Sequence, residues 1–361
     1  MSDPRIRNHA GILVNYSINA RRSDTIGVSA STLAEPLVLA VYEELLKAGA
    51  FPVLMMTPQG STESFFRYAK SHHLHTVFPF QLAYVRNMDA TIRISSEGNT
   101  RSLSAVAPRK QTMLARTMKP VSDILRAKPW VITLFPTPAY AQDADMSLSD
   151  FEDFVYSAMF ADESNSVAAW KSLKRRQDKL IAGIRGVDEV HIVGKGTDLK
   201  LSVRNRKFIN SDGHRNMPSG EIFTSPVDGS AEGYIEYDYP VCTSGREIDG
   251  IRLVFRKGVV VEATASKNES FLREMLKADK GASRVGELGI GTNMRIQRFI
   301  KNILFDEKIG GTIHLALGQS FGEAGGRNKS AIHWDMIKDL RRGGAIYIDG
   351  RLYQKDGKFV V

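Results

Sequence analysis

The stretch DTIGVSASTLAEPLVLAVYEELLKAGAFPVLMM, residues 24–56, decides the fold class. Its first eight residues, 24–31, predict a strand that ends in small polar residues, and FPVLMM, residues 51–56, predicts a buried strand. The residues between them have the pattern of a helix, with Pro36 in its first turn and Gly49 at its end. A strand, a helix and a strand in so short a stretch indicate a βαβ unit, so we predict a parallel sheet.

The rest of the first half continues this alternation of strands and helices. We predict strands at residues 89–96 (DATIRISS) and 129–135 (PWVITLF), with a helix over residues 108–128 between them. Two further helices are predicted at residues 148–160 and 166–184.

The second half has a different texture, because short apolar runs crowd together between Gly and Asp turns. EVHIVG, DLKLSVR, GYIEYD and IRLVFRKGVVVEATA all predict strands, the last with RKG as a hairpin turn, and a helix is predicted at residues 266–278. We therefore predict an α/β fold with two domains. Residues 1–190 form an N-terminal βαβ domain with a parallel sheet, and residues 191–361 a mixed, strand-rich α+β domain that carries the functional site.

Composition and charge exclude several classes of protein. The 361 residues are 42% hydrophobic and 25% charged, which is typical of a globular chain and excludes a disordered one. The single cysteine, Cys242, rules out an internal disulfide, and no run of about 18 apolar residues or apolar leader appears. We expect a cytoplasmic protein without a membrane partner.

The net charge of +9 raises the question of nucleic-acid binding. The densest basic run, KSLKRRQDK at residues 171–179, is interrupted by an acid and has helical spacing, which favours a solvated helix face. Since no nucleic-acid-binding motif accompanies the run, we expect no nucleic-acid partner. The glycines of GELGIGTN and GEAGGR lack the context of a dinucleotide or phosphate loop, and no GxSxG elbow is present.

Four stretches of the second half carry potential metal ligands, three carboxylates and two imidazoles, a mixture that suits zinc, cobalt, manganese or iron. If AIHWDMI is a strand, His333 and Asp335 point to the same side and Trp334 to the other. The candidate ligands are Glu221, Glu287, His314, His333 and Asp335.

Taken singly, each of these residues has an ordinary structural explanation. A lone histidine in an apolar strand, such as His314 in TIHLAL, is usually a core residue bonded to the backbone, although its burial demands a partner. Asp306 and Glu307, just ahead of it, fit either carboxylates that orient a ligand or a simple turn. The residues alone leave a metal site and a structural role equally open.

As a set, these stretches resemble the M29 metallo-aminopeptidases. The resemblance is carried by NMPSGEIFTSPVDGSAEG, VGELGIGTN, LFDEKIGGTIHLALG and NKSAIHWDM, and more loosely by ILVNYSINARRSDTIGVSAS and FPTPAYAQDADMSLSDFEDFV. It implies a cytosolic exopeptidase, often a homodimer, that uses two divalent metals to remove N-terminal residues from short peptides. The metals expected are zinc, cobalt, manganese or magnesium.

The resemblance also assigns roles to residues. The family's ligand pattern falls on Glu221, Glu287, His314, His333 and Asp335. Two metals that share a water make hydroxide available near neutral pH, and one of them polarises the scissile carbonyl. We expect Glu287 to relay a proton to the leaving amine as well. Substrate-binding residues are left unassigned.

The sequence departs from the family in two places. Where the family has a tyrosine thought to stabilise the reacting oxygen, seven residues after its first ligand histidine, this chain has Phe321. Either another hydroxyl replaces it or the substrate is not a peptide. The loop between His314 and His333 also looks shorter than in the peptidases. The candidate replacement hydroxyls are those of Ser320, Tyr234, Tyr237 and Tyr239.

Three alternatives to a peptidase follow. The first is the same two-metal chemistry on a small amide or aromatic amine. The second is a single-iron, ring-cleaving dioxygenase of the dihydroxypyridine type, a group that resembles this family. Its counterpart of Glu287 is a histidine, and its counterparts of Glu221 and His314 are not ligands, so this chain sides with two metals. The third is a basic binding protein that keeps only the fold.

Overall fold

The computed structural model describes residues 3–243 and 246–360. Contacts divide the chain into two compact units, each with sheets of its own. The first unit comprises Met1–Trp170 with Gly213–Pro218, and the second comprises Lys171–Asp212 with Ser219–Val361.

Helices are concentrated in the first half of the chain. Shorter helical turns of other types occur at Leu13–Ser17, Thr32–Ala34 and Gly322–Ala324. The α-helices are α1 (Pro4–Ile12), α2 (Glu35–Lys47), α3 (Ser61–Tyr68), α4 (Ser71–His75), α5 (Pro79–Asn87), α6 (Pro108–Thr117), α7 (Lys119–Arg126), α8 (Pro138–Asp143), α9 (Leu148–Ala158), α10 (Ser166–Gly183), α11 (Glu269–Met275) and α12 (Ile303–Asp306).

Strands dominate the second half. They are β1 (Thr25–Ser31), β2 (Phe51–Thr57), β3 (Ala90–Ser95), β4 (Trp130–Leu134), β5 (Glu189–Gly194), β6 (Thr197–Ser202), β7 (Ile209–Ser211), β8 (Asn216–Met217), β9 (Glu221–Thr224), β10 (Glu232–Glu236), β11 (Val241–Thr243), β12 (Arg246–Ile248), β13 (Arg252–Arg256), β14 (Val259–Thr264), β15 (Val285–Gly291), β16 (Thr312–Gly318), β17 (His333–Asp339), β18 (Ala345–Ile348), β19 (Arg351–Lys355) and β20 (Lys358–Phe359).

The first unit is built on a parallel sheet in the order β2-β1-β3-β4-β8. The predicted βαβ unit is confirmed as β1, α2 and β2, and the side chain of Ser31 caps the turn that leads into α2. The prediction that residues 51–56 are buried is wrong. β2 is the edge strand, and 62% of Phe51 is exposed. The run of apolar letters identified a strand but not its place in the sheet.

Two helix predictions need correction. The single helix expected over residues 108–128 is two helices, α6 and α7, which meet at Met118. Pro120 follows closely and has no N–H for a continuing helical ladder, which explains the break. The helix expected at residues 266–278 is shorter, because α11 runs only from Glu269 to Met275.

The second unit contains an eight-stranded antiparallel sheet and a five-stranded antiparallel sheet. Their orders are β14-β13-β10-β6-β5-β18-β19-β20 and β17-β16-β15-β9-β7. Apolar side chains from both sheets form one hydrophobic core, with Leu253 and Phe255 from the first and Leu288 and Leu315 from the second. The parallel sheet and these antiparallel, strand-rich sheets confirm the predicted α/β class with its mixed second part.

The division into domains at residue 190 stays a prediction. By contacts, the chain passes from the first unit to the second between Trp170 and Lys171, inside α10, and returns to the first for Gly213–Pro218. The returning segment supplies β8, the last strand of the parallel sheet. None of the described helices combines the length and apolar composition that crossing a membrane requires.

Candidate metal centre

The five candidate ligands lie on four adjoining strands of the five-stranded sheet. Glu221 begins β9, Glu287 lies on β15, His314 on β16, and His333 and Asp335 on β17. Antiparallel pairing brings these strands together from distant parts of the chain. The structure therefore places all five side chains in one cluster.

The strand register places small residues opposite the candidate ligands and so leaves space for their side chains. Ala316 of β16 pairs with Glu287 on one side and with Asp335 on the other, so a small side chain separates the two carboxylates. Gly289 pairs with His314. A Cβ atom on Gly289 would lie 2.0 Å from Cε1 of His314, so only glycine leaves space for the imidazole there.

The alternation predicted for AIHWDMI is confirmed. His333 and Asp335 lie on the same face of β17 and both contribute to the cluster, whereas Trp334 is buried in the core on the other face. Period-two alternation in a strand sends successive side chains to opposite sides.

Glu287 lies at the middle of the cluster. Its Oε1 is 3.5 Å from Nε2 of His314, and its Oε2 is 3.1 Å from Nε2 of His333. His314 Nε2 is also 3.5 Å from Oε2 of Glu221, and His333 Nε2 is 3.5 Å from Oδ1 of Asp335. Two potential ligand groups therefore share Glu287: Glu221, Glu287 and His314, and Glu287, His333 and Asp335.

Backbone carbonyls orient both imidazoles. Nδ1 of His314 lies 3.2 Å from the carbonyl oxygen of Glu307, and Nδ1 of His333 lies 2.8 Å from that of Gln319. Because a carbonyl can only accept, each Nδ1 must carry a proton and donate it. This leaves both Nε2 atoms facing the carboxylates, in the arrangement that metal-binding histidines use.

The charges of the cluster are strongly coupled. Burial would lower the pKa of His314, but Glu287 and Glu221 raise it to about 10. Burial acts likewise on His333, where Asp335 and Glu287 raise the pKa to about 11. Burial would raise the pKa of Glu287, yet bonds from both histidines hold it below its usual value. Without metal, protonated imidazoles thus balance the buried carboxylates.

The donor set fits divalent metal ions. Oε2 of Glu221 and Oδ1 of Asp335 are buried, and neither accepts a hydrogen bond from any residue within 3–243 and 246–360. A buried oxygen without a donor is costly, and a cation would satisfy it. Carboxylate oxygen and imidazole nitrogen are ligands of zinc, manganese and related ions.

A buried lysine, which sequence analysis missed, lies against the same cluster. Lys308 has no exposed side-chain surface, its ammonium donates a hydrogen bond to Glu307, and it lies 3.4 Å from Oε1 of Glu221. Glu307 itself comes close enough to His314 and Asp335 to form a third potential ligand group. In the sequence, Lys308 sits in a charged triplet that resembles an exposed turn, and only non-local pairing reveals its place.

Asp306 and Glu307 have different roles. Glu307 orients His314 through its backbone carbonyl, whereas the two predicted possibilities were an orienting carboxylate and a simple turn. The carboxylate of Asp306 accepts the N–H of Ile300, 2.8 Å away, and burial raises its pKa well above the ordinary value.

Phe321 lies beside the cluster, and its ring packs edge-on against His333 with centroids 5.1 Å apart. The four hydroxyls considered as replacements have other surroundings. That of Ser320 donates to the carbonyl of Asn328, and that of Tyr239 to Asp339. Tyr237 is buried in the core, and Tyr234 lies under the guanidinium of Arg252. The structure gives no support to a replacement by any of them.

Comparison with known proteins decides the family. The model of the family described as thermophilic metalloprotease (M29) matches residues 2–357. The chain belongs to the M29 family. The resemblance seen in the sequence motifs is thereby confirmed, and with it the predicted class of metal-dependent hydrolase.

Both curated relatives and solved structures are similar to this M29 chain. Aminopeptidase T of Thermus thermophilus is 28% identical, over 67% of this chain and 68% of the relative. Aminopeptidase PepS of Streptococcus thermophilus is 24% identical, over 92% and 91%. The structure of wild-type AmpT from Thermus thermophilus superimposes with a TM-score of 0.86 at 22% identity and covers 99% of both chains, which shows a shared fold.

Proposed function

We propose that this M29 chain is an aminopeptidase that releases N-terminal residues from short peptides with two divalent ions. The position of Glu287 carries the proposal. One of its oxygens faces His314 and the other faces His333, so a single buried carboxylate belongs to two ligand groups. A carboxylate shared in this way is suited to bridge two ions.

The cluster divides naturally between the ions. Glu221 and His314 would complete one set around Glu287, and His333 and Asp335 the other. The expected ions are zinc, cobalt, manganese or magnesium, and two imidazoles among five ligands favour a transition metal over magnesium. Five protein ligands for two ions leave positions for water and substrate.

Ions bound there would acidify a water molecule and polarise the scissile carbonyl. The protein's own groups prepare the site. Carbonyls of Glu307 and Gln319 fix the imidazoles, and Lys308 offsets the charge of Glu221. If Glu287 held both ions, its carboxylate would be less available for the proton relay predicted for it, so that catalytic role stays a prediction.

Metal analysis of variants tests the shared carboxylate. The purified chain should hold close to two equivalents of metal, Glu287→Ala close to none, and Glu221→Ala or His333→Ala about one. Glu323→Ala, which removes an exposed carboxylate from the loop that follows β16, is the matched control and should keep both equivalents. Full metal content and activity in Glu287→Ala would contradict the proposal.

Blocked substrates test the exopeptidase activity. A dipeptide or tripeptide with a free amino terminus should be cleaved, and its N-acetylated form should not. Cleavage of a small amide or an aromatic amine, but not of peptides, would favour the non-peptide hydrolase. One equivalent of iron with oxygen-dependent ring cleavage would favour the dioxygenase, against which Glu287, Glu221 and His314 argue. If the protein holds no metal and takes none up on titration, and if its retention on nucleic acid depends steeply on salt, the binding protein would be favoured.

We further propose a cytoplasmic homodimer, as the family resemblance implies. Light scattering of the metal-loaded protein measures the oligomeric state, and a monomer at micromolar concentration would contradict the dimer.

A further inference from the structure

A cavity in the second unit opens beside the candidate metal centre. His333 and Asp335 line it, so it begins at one of the two ligand groups. His333 is also the most exposed of the five candidate ligands, with 30% of its side chain accessible. The cavity therefore lies where a bound molecule reaches the centre.

Several of the other side chains that line the cavity are apolar. Ile337 continues the face of β17 that carries His333 and Asp335, and Val241 comes from β11. Phe299 and Ile303 add an aromatic and an aliphatic side chain. Such a surface favours an apolar group over a polar one, because burial of apolar area is favourable.

The aromatic wall is held in place by a chain of contacts. Phe299 stacks on Tyr239, with ring centroids 4.7 Å apart and an interplanar angle of 10°. The hydroxyl of Tyr239 donates to Asp339 at 2.9 Å and accepts from Arg341 at 2.8 Å. Asp339 ends β17, so the wall and two candidate ligands are fixed to the same strand.

Lys301 contributes an ammonium group to the lining. Its ammonium lies 4.0 Å from Glu247, which also binds Lys267 at 2.9 Å, so one carboxylate faces two ammonium groups. The lining also contains Asp306, whose carboxylate is buried and accepts a backbone N–H from Ile300. A positively charged substrate side chain in this cavity would be repelled by the ammonium of Lys301.

We propose that this cavity holds the side chain of the substrate's N-terminal residue, and that it selects apolar side chains over basic ones. The inference rests on the proposed aminopeptidase function. The side chain of that residue is attached to the atom next to the scissile carbonyl carbon. A carbonyl at the metal centre therefore delivers it to the space beside His333 and Asp335.

Dipeptides with a constant second residue measure the selection. Leu-Gly and Phe-Gly should be cleaved with kcat/KM at least about 10-fold above Ala-Gly and Lys-Gly, since one methylene in an apolar pocket changes rates by about 10–200-fold. The reciprocal series Ala-Leu, Ala-Phe and Ala-Lys should vary much less. Selectivity that follows the second residue would overturn the assignment.

Two substitutions separate the wall from the charge. Phe299→Ala should lower kcat/KM for Leu-Gly and Phe-Gly about 10-fold relative to Ala-Gly, with Phe299→Leu intermediate. Lys301→Glu should raise Lys-Gly relative to Leu-Gly by about 10-fold. Lys267→Glu makes the same charge change beside the same Glu247 but outside the lining, so it is the matched control. Equal effects of both charge reversals would overturn the role of Lys301.

Failure of the proposed function is distinguishable from failure of this inference. If no peptide is cleaved, the proposed aminopeptidase function is wrong. The selectivity of the cavity is then tested by calorimetric binding of L-leucine and L-lysine to the metal-loaded protein. Tighter binding of leucine that is lost in Phe299→Ala supports it. Equal binding of both amino acids overturns it.

Discussion

The ammonium of Lys308 lies 3.4 Å from Oε1 of Glu221, and its side chain has no exposed surface. The same ammonium donates a hydrogen bond to the half-buried Glu307, so one buried cation contacts two carboxylates next to the candidate metal centre. Removing one partner of a buried ion pair strands the other charge, which is why such lysines matter more than exposed ones.

Lys308→Met should therefore lower the free energy of unfolding of the metal-free protein by about 3–5 kcal/mol. It should also change the affinity for metal, because Glu221 loses its neighbouring cation. Thermal unfolding and metal titration measure the two effects. Lys338→Met is the matched control, since Lys338 is equally buried but pairs with Asp238. Both variants should be destabilised, and an equal shift of metal affinity in the control would contradict the role assigned to Lys308.

Phe321→Tyr should increase peptidase activity, because it returns a hydroxyl donor beside His333. A single donor to a reacting oxygen contributes on the order of 10²–10³-fold to kcat, so a gain of about 10-fold or more is expected even with imperfect placement. Phe223→Tyr adds a hydroxyl to the ring that packs against Phe321, and is the control that should show no gain. Unchanged kcat in Phe321→Tyr would favour a non-peptide substrate.

Removal of metal should inactivate the protein reversibly. EDTA is expected to abolish hydrolysis and to lower the unfolding temperature, because the buried oxygens of Glu221 and Asp335 lose the cation that satisfies them. Readdition of zinc, cobalt or manganese should restore both. At a free metal concentration 100 times its dissociation constant, the stabilisation amounts to about 2.7 kcal/mol per site. Indifference of rate and stability to EDTA would argue against any metal hydrolase.

His9, in the first unit, should make stability depend on pH. Burial lowers its pKa to about 3, and Nε2 bonds Thr133 Oγ1 at 2.8 Å. The pKa of His9 in the unfolded chain is near 6.5. Above that pH the imidazole is neutral in both the folded and the unfolded protein, so His9 does not reduce the free energy of unfolding. As the pH falls below 6.5, only the unfolded state binds the proton, and about 1.4 kcal/mol per pH unit is lost.

Unfolding midpoints between pH 7 and pH 5 measure this effect. His9→Asn should flatten the pH dependence by about one proton. An identical slope in His9→Asn and the unmodified chain would contradict the assignment.

Much of the fold can be predicted from local patterns in the sequence. The βαβ unit and the shared face of His333 and Asp335 followed from periodicity, because periods of 3.6 and 2 are properties of adjacent residues. The place of a strand within its sheet is not local. The apolar letters of β2 therefore suggested burial, although the strand lies at the edge with Phe51 exposed.

The candidate site shows the same division. The five candidate residues could be recognised one at a time, but their convergence depends on pairing between strands far apart in the chain, such as Gly289 with His314. Lys308 and the cavity wall at Phe299 could not be found from spacing, since only long-range contacts bring them to the site. The resemblance to the M29 motifs identified the five candidates as one set of ligands, which the properties of each residue alone could not do.

The pairing of Gly289 with His314 gives the most direct test of the site. A Cβ at position 289 would lie 2.0 Å from Cε1 of His314, so Gly289→Ala must displace the imidazole. We expect loss of metal from the ligand group that contains His314. Activity should fall about 100-fold or more, because misplacement of a group by about 1 Å can reduce the rate by about that factor. Gly322→Ala is the control, because nothing lies within 4 Å of its added methyl. Circular dichroism should show that both variants keep their secondary structure. Full metal content in Gly289→Ala would mean that His314 binds no metal, since its ring cannot keep its present place beside that methyl group.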